Sequence, residues 1–179
     1  MIKEIRTRRS IRKFNKKNVE NDKLIGLIEA SRLAPSGKNT QPWRFIIVKN
    51  QETKEKIACA NNNQKWLSTA DVHIVCVADT RSRIKDDTEI SVNEQSDLFE
   101  LKQVIRDTSI ATGYLLLEAE ALGLSTCWVA WFEQKEIRDI LEIPSDKFVI
   151  GVVAVGYSEV VQRPTPRINL AELLRYEKW

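Results

Sequence analysis

A rigid, polar turn separates an amphipathic helix from an apolar strand near the N-terminus. Residues 22–33 carry apolar side chains at helical spacing, and residues 44–50 are typical of a strand. The segment between them contains Pro35, Ser36, Gly37, Asn39 and Pro42. One or two such residues suffice to reverse a chain. We therefore expect this turn to do more than join two elements.

Helical and strand patterns alternate along most of the chain. Periodicity also predicts helices at 2–8, 51–60, about 97–122 and before Pro144, a helical turn at 64–70, and strands at 72–78, 125–132 and 148–157. Alternation of this kind ordinarily suggests a parallel doubly wound sheet. However, no strand is followed by G-x-G-x-x-G or G-x-x-x-x-G-K, so both of these phosphate-binding loops are absent from the sequence.

Composition limits the size and setting of the protein. The 179 residues, 42% of them hydrophobic, are enough for one substantial core, so we expect a single domain over residues 1–179. Cys59, Cys76 and Cys127 are odd in number and far apart, which favours reduced thiols and a cytoplasmic setting. The charged N-terminus and the short apolar run FVIGVVAVGY predict neither export nor membrane insertion.

Few side chains in the sequence are candidates for catalysis. His73 is the single histidine, which excludes sites that need a second one, and its apolar surroundings predict a structural role in a strand. The cysteines lack metal-binding spacing, and Cys127 is predicted to belong to the core. Asp86 and Asp87 lie in a polar segment at 81–96, which indicates a solvated loop. An enzyme of this sequence would therefore need a cofactor to carry its chemistry.

Basic residues cluster near both ends of a chain whose net charge is +3. Alternate residues of an extended segment point the same way, so Arg8, Ser10 and Arg12 can direct two guanidinium groups and a hydroxyl at one phosphorylated ligand. A solvated basic face is the alternative interpretation. Arg163 and Arg167 flank the sequence PTP near the other end.

Five motifs occur in order along the chain: RRSIRKF, APSGKNTQPWRF, NNQKWL, ALGLSTCWVAWF and RPTPRINLAELLRYEKW. Together they resemble the FMN-dependent nitroreductase family, and the resemblance covers nearly the whole chain. It implies an α+β fold with a central, mainly antiparallel sheet flanked by helices. It also implies an intertwined homodimer with two FMN molecules at the subunit interface.

The resemblance assigns cofactor contacts to the basic motifs. Arg8 matches a residue that helps to hold the FMN phosphate, and Arg9 follows it in the same motif. Ser10 and Arg12 match contacts to the ribityl chain and to the pyrimidine side of the ring. At the other end of the chain, Arg167 matches a second phosphate ligand.

The resemblance also gives the rigid turn a function. Pro35, Ser36 and Gly37 would present backbone to the dimethylbenzene side of the flavin and reach into the partner subunit's site. Asn39 and Gln41 would fix that loop or contact the cofactor. Rigidity would serve to position the flavin for hydride transfer.

Two further motifs match the surroundings of the flavin ring. Asn62 matches a residue beside the ring, and Lys65 matches a cation near N1 and O2, a role that Arg12 also suits. Ala130 and Trp131 occupy the segment whose backbone approaches N5, where the family often has small residues. Trp131 would therefore either wall the pocket or belong to the core.

The sequence thus predicts an FMN-dependent NAD(P)H oxidoreductase that works as a homodimer by a ping-pong mechanism. Its acceptor would be a nitro compound, a quinone or another electron-poor small molecule. Two alternatives are a flavin-binding or storage protein without NAD(P)H turnover, and a relative that catalyses dehalogenation or dehydrogenation. Nucleic-acid binding is disfavoured, because the basic N-terminus lacks interleaved aromatic residues beyond Phe14.

Overall fold

The computed structural model describes residues 1–85 and 89–179, and the predicted loop carboxylates Asp86 and Asp87 lie outside them. The strands are β1 (Trp43–Val48), β2 (Val72–Asp79), β3 (Ser125–Val129) and β4 (Lys147–Gly156). The helices are α1 (Lys3–Thr7), α2 (Asn21–Arg32), α3 (Gln51–Ala60), α4 (Phe99–Ala121), α5 (Gln134–Leu141) and α6 (Leu170–Leu173). Short 3₁₀-helices occupy Gly37–Asn39, Lys65–Thr69 and Thr80–Ser82.

The four strands form one sheet in the order β1-β2-β4-β3, and every neighbouring pair is antiparallel. This arrangement confirms the predicted antiparallel α+β fold. The two central strands, β2 and β4, are buried along almost their whole length, which explains their continuous apolar sequences.

The pairing of β2 with β4 contains a β-bulge. The register shifts between Cys76 and Val77 of β2, which leaves Ile150 of β4 as the extra residue. Gln134 of α5 hydrogen-bonds both backbone groups of Val149 beside the bulge, at 2.8 Å each.

Helices cover both faces of the sheet. On one face, Leu27 of α2 and Leu115 of α4 pack with Ile74 and Val153 of the central strands. On the other face, Ile57 of α3, Ile137 of α5 and the Lys65–Thr69 turn complete a second core. Three layers result, with the sheet in the middle.

Element boundaries differ from the sequence prediction at a few ends. Strand β3 stops at Val129 rather than at 132, because the chain turns outward and exposes Ala130 and Trp131. Helix α4 ends as predicted: Gly123, with φ +71°, allows Leu124 N–H to reach the carbonyl of Ala119 at 2.8 Å. Helix α6 is not predicted from the sequence.

Candidate functional site

The N-terminal basic segment runs in extended form beside the edge strand β3. Ile11 N–H donates to the Thr126 carbonyl at 2.9 Å, and Ser10 makes an isolated parallel bridge with the same residue. Ile11 is buried, so its side chain anchors the segment to the core. These contacts fix the position of the segment along β3, and with it the direction in which the alternate side chains point.

Arg8, Ser10 and Arg12 all lie near the buried thiol of Cys127 in β3. Burial raises the pKa of that thiol, while the positive charge of Arg12, a hydrogen bond with Ser10 and the charge of Arg8 oppose the rise. Cys127 is thus a core thiol, as predicted. Within residues 1–85 and 89–179, neither arginine is paired with an acid.

Arg9 lies apart from this group. Its Nη1 donates to the carbonyls of Arg6 and Arg8, at 2.7 and 2.8 Å, and so caps the end of α1. Its side chain borders a separate hollow together with Glu120 and Val161. The structure therefore does not bring Arg9 to the side shared by its two motif neighbours.

Arg12 connects the basic segment to the turn after α3. Its Cζ lies 5.8 Å from the ring centroid of Trp66, in a cation–π contact. Trp66 belongs to the 3₁₀-helix that begins at Lys65, and Asn62 precedes it with a left-handed φ of 55°. The structure therefore brings the motifs RRSIRKF and NNQKWL together. The guanidinium of Arg12 contacts the ring of Trp66, and Lys65 directly precedes Trp66 in the sequence.

Two buried basic side chains hydrogen-bond backbone carbonyls of this turn and of the residues that follow it. His73 Nε2 hydrogen-bonds the Leu67 carbonyl at 2.9 Å, and Lys54 Nζ donates to the carbonyls of Ala70 and Asp71 at 2.7 and 3.0 Å. Burial, aided by the charge of Lys54, lowers the pKa of His73 to about 4. Burial also lowers the pKa of Lys54. His73 is thus the predicted structural histidine, neutral at pH 7.

Sequence reasoning missed Lys54. The residue precedes Ile57 and Ala58 by three and four positions, so it stands in the apolar stripe of α3. A lysine within an apolar stripe is buried with its helix face, and its ammonium group must then bind hydrogen-bond acceptors in the interior. The position of Lys54 in the stripe was therefore a signal that it binds buried backbone carbonyls.

The chain after β3 forms a shallow hollow with the same turn. The hollow, of about 310 Å³, is lined by Asn62, Trp131, Phe132 and Glu136, among others. The side chain of Trp131 is 69% exposed. Of the two alternatives for Trp131, the core position is therefore wrong, and the indole lies beside Asn62 at the surface.

The turn that contains Pro35, Ser36, Gly37 and Asn39 is held by residues that sequence reasoning missed. Gly37 N–H donates to Asp107 at 3.2 Å, and Arg83 Nη2 donates to the Gly37 carbonyl at 3.1 Å. Gly37 itself does not have a positive φ, whereas Lys38 and Asn39 do. Because Arg83 and Asp107 are 46 and 70 residues from Gly37, they leave no local pattern in the sequence.

The turn and the basic segment lie at opposite edges of the sheet. The turn leads into β1 at one edge, whereas the segment that contains Arg8, Ser10 and Arg12 runs alongside β3 at the other edge. Three inter-strand spacings, about 14 Å, separate these edges. Arg167 stands apart from both, in an exposed tail, where its Nη1 donates to the carbonyls of Thr165 and Pro166. One chain thus does not bring all the predicted cofactor residues together.

Residues 1–85 and 89–179 hold no group of three or more His, Cys, Asp or Glu side chains that could bind a metal ion. Within the same ranges, no helix is both long and apolar enough to cross a membrane.

These features define the class of protein: an antiparallel α+β fold whose sequence has no nucleotide-binding glycine loop, with a basic site at one sheet edge whose arginines pair with no acid among residues 1–85 and 89–179. The chain belongs to the nitroreductase family, whose model matches residues 5–157.

Known proteins resemble it along most of its length. It is 31% identical to an NADH dehydrogenase of Thermus thermophilus, over 93% of this chain and 91% of that one. It is 29% identical to an FMN reductase [NAD(P)H] of Bacillus subtilis, over 94% of this chain and 70% of the relative. The solved structure of an FMN-dependent nitroreductase from Clostridium difficile superposes with a TM-score of 0.75 at 29% identity, over 100% of both chains.

Proposed function

We propose that this member of the nitroreductase family, an FMN-dependent NAD(P)H oxidoreductase, transfers electrons from NADH or NADPH to a nitro compound, a quinone or another electron-poor acceptor. The observation that carries the proposal is that Arg8, Ser10 and Arg12 belong to one extended segment held against the β3 edge and all act on the Cys127 thiol there. When bound there, FMN supplies the redox chemistry at N5, by a ping-pong sequence in which donor and acceptor use the same pocket in turn.

The free cations fit a phosphorylated cofactor. Arg8 is half-buried and, like Arg12, is paired with no acid among the described residues, so its charge is available to an anion. Arg8 would hold the phosphate, and Ser10 and Arg12 would contact the ribityl chain and the pyrimidine side of the ring. Lys65, exposed at the start of its turn, would add a cation there and stabilise negative charge on the reduced ring.

The protein itself supplies positioning rather than acid–base chemistry in this proposal. His73 is fully buried beneath the turn and is neutral at pH 7, since its pKa is about 4. Cys127 is kept protonated by burial. Protons for the acceptor would therefore come from solvent or from the flavin.

A homodimer would complete the site. The Gly37 turn at the β1 edge and the basic segment at the β3 edge are too far apart for one flavin ring to contact both within a chain. A second copy would bring its turn to the first copy's basic segment. Exposed apolar side chains that need covering support this arrangement: Ile2, Ile5, Val161, Ile168, Leu170, Leu173, Tyr176 and Trp179. We place the protein in the cytoplasm, which its three free thiols support.

The absorbance spectrum of the purified protein tests the proposed function. A flavin spectrum that bleaches on anaerobic addition of NADH or NADPH, and recovers on addition of a quinone or nitroaromatic compound, is the expected result. A flavin spectrum that neither nucleotide bleaches would indicate a storage or binding protein. A protein that takes up no flavin would contradict the proposal altogether.

A further inference from the structure

An ion pair holds both backbone polar groups of Gly37. Asp107 Oδ2, in the middle of α4, accepts from Gly37 N–H at 3.2 Å and from Arg83 Nη2 at 3.0 Å. The same Nη2 donates to the Gly37 carbonyl at 3.1 Å. The Arg83 and Asp107 side chains are 12% and 14% exposed, so water screens these contacts weakly. The three residues form a closed, charge-assisted ring of hydrogen bonds.

The turn needs such support because part of its backbone is unfavourable. Lys38 and Asn39 have φ angles of 55° and 54°, in the left-handed region that side chains disfavour. Conformations of this kind persist only where their surroundings hold them. A Cβ at position 37 would lie 2.4 Å from Arg83 Nη2, so a side chain there would have to displace this guanidinium. The arginine occupies the space that a side chain would fill.

We propose that Arg83 and Asp107 are positioning residues, which fix the backbone of Gly37 in the orientation that contacts the ring of a flavin bound with the partner subunit. The inference rests on the proposed function, because it takes the turn as part of the flavin site. The inference makes a prediction of its own: loss of Arg83 or Asp107 weakens binding of the flavin ring and leaves the contribution of the phosphate to affinity unchanged.

The chain offers a matched control two residues away. Arg81 forms an ion pair with Asp146 at 2.7 Å, and the two side chains are 28% and 15% exposed. This pair comes from the same short segment and also joins it to a distant part of the chain. It does not involve the Gly37 turn. Arg81→Gln and Arg83→Gln therefore both remove a partly buried arginine that pairs with an acid, and Arg83→Gln in addition removes the donor to the Gly37 carbonyl.

The experiment compares Arg83→Gln, Asp107→Asn and Arg81→Gln with the unsubstituted protein. Apo-protein is titrated with FMN and with riboflavin, and visible circular dichroism is recorded on the flavin-saturated dimer. We expect Arg83→Gln to weaken both ligands by the same factor, about tenfold, because binding must then order the turn. We expect Asp107→Asn to weaken both ligands as well. The double variant Arg83→Gln/Asp107→Asn should have the same affinity as the single variant with the lower affinity, because the two residues act as one unit. The dichroism of bound flavin should change in these variants and stay unchanged in Arg81→Gln.

The outcomes separate the two proposals. If the unsubstituted protein binds neither flavin, the proposed function and the positioning role both fall. If it binds FMN while Arg83→Gln shows the affinities and dichroism of Arg81→Gln, the positioning role alone is wrong. If Arg83→Gln does not fold, Arg83→Lys takes its place, since it keeps the charge beside Asp107 but cannot reproduce the planar guanidinium. Unchanged flavin dichroism in that variant would also overturn the inference.

Discussion

The guanidinium of Arg12 lies over the ring of Trp66, 5.8 Å from its centroid, although more than fifty positions separate these two residues in the sequence. The contact joins the motifs RRSIRKF and NNQKWL. The contact orients a cation that is paired with no acid in the described part of the chain. Because Arg12 contacts this indole and Lys65 precedes it in the sequence, loss of the indole should disturb the cationic side of the proposed flavin site.

Trp66→Leu should weaken flavin binding by about two- to fivefold, since a cation–π contact at a partly exposed site contributes about 0.5–1 kcal/mol. A flavin titration of the apo-protein measures the effect. Arg12→Ala should weaken binding more, because it removes the charge itself. Unchanged affinity in Trp66→Leu, beside a loss in Arg12→Ala, would mean that the indole does not orient the guanidinium.

Local sequence patterns predicted much of this fold. Periodicity gave every helix longer than four residues and all four strands, and the alternation of Arg8, Ser10 and Arg12 predicted their shared side. Arg83 and Asp107 were not predictable in this way. Their roles depend on contacts between residues 24 to 70 positions apart, and such contacts leave no periodicity. The exposure of Trp131 was also undecided, since an aromatic residue after a strand suits a core or a rim equally.

Sedimentation at micromolar concentration should give a dimer. Apolar side chains in the tail, such as Leu170 and Leu173, are 65% and 60% exposed in the single chain. An obligate interface commonly buries more than about 2,000 Å² in total. Leu170→Glu combined with Leu173→Glu should shift the equilibrium toward monomer and lower flavin affinity together. A monomer that retains flavin would contradict the shared site.

His73 should make the folding stability fall in mild acid. Its pKa is about 4 in the folded protein and near 6.5 in the unfolded chain, so as pH falls the unfolded state takes up the proton first. The stability contributed by the neutral, buried ring is fully present above pH 6.5. It declines as pH falls toward 4, by about 1.4 kcal/mol per pH unit and about 3 kcal/mol in all.

Urea denaturation between pH 7 and pH 4.5 measures this effect. His73→Gln, whose amide can still donate to the Leu67 carbonyl, should be less stable at pH 7 but should lack this part of the pH dependence. The difference between the two proteins isolates the histidine from the carboxylates that titrate in the same range. Parallel pH profiles would mean that His73 has an ordinary pKa.

Trp131→Ala should widen the range of acceptors. The indole is largely exposed and lines the hollow that contains Asn62, so its loss should change the free energy of unfolding by less than about 0.5 kcal/mol. We expect kcat/KM to rise for bulky bicyclic quinones relative to small nitro compounds, with Trp131→Phe intermediate. Equal changes for large and small acceptors would indicate that Trp131 does not wall the pocket.

The phosphate provides the sharpest test of the basic residues. Arg8 lies at the β3 edge and Arg167 in the exposed tail, so the two converge only if assembly brings the tail to a site. Each would then supply a charge-assisted hydrogen bond of roughly 1.5–3 kcal/mol, and Arg8→Ala or Arg167→Ala should weaken FMN by about one to two orders of magnitude. Riboflavin lacks the phosphate and should bind nearly as before. Arg9→Ala is the matched control, because Arg9 caps α1 away from this side, and it should affect both ligands equally or not at all. Equal losses of FMN and riboflavin in Arg8→Ala, with circular dichroism confirming the fold, would assign Arg8 to structure rather than to the phosphate.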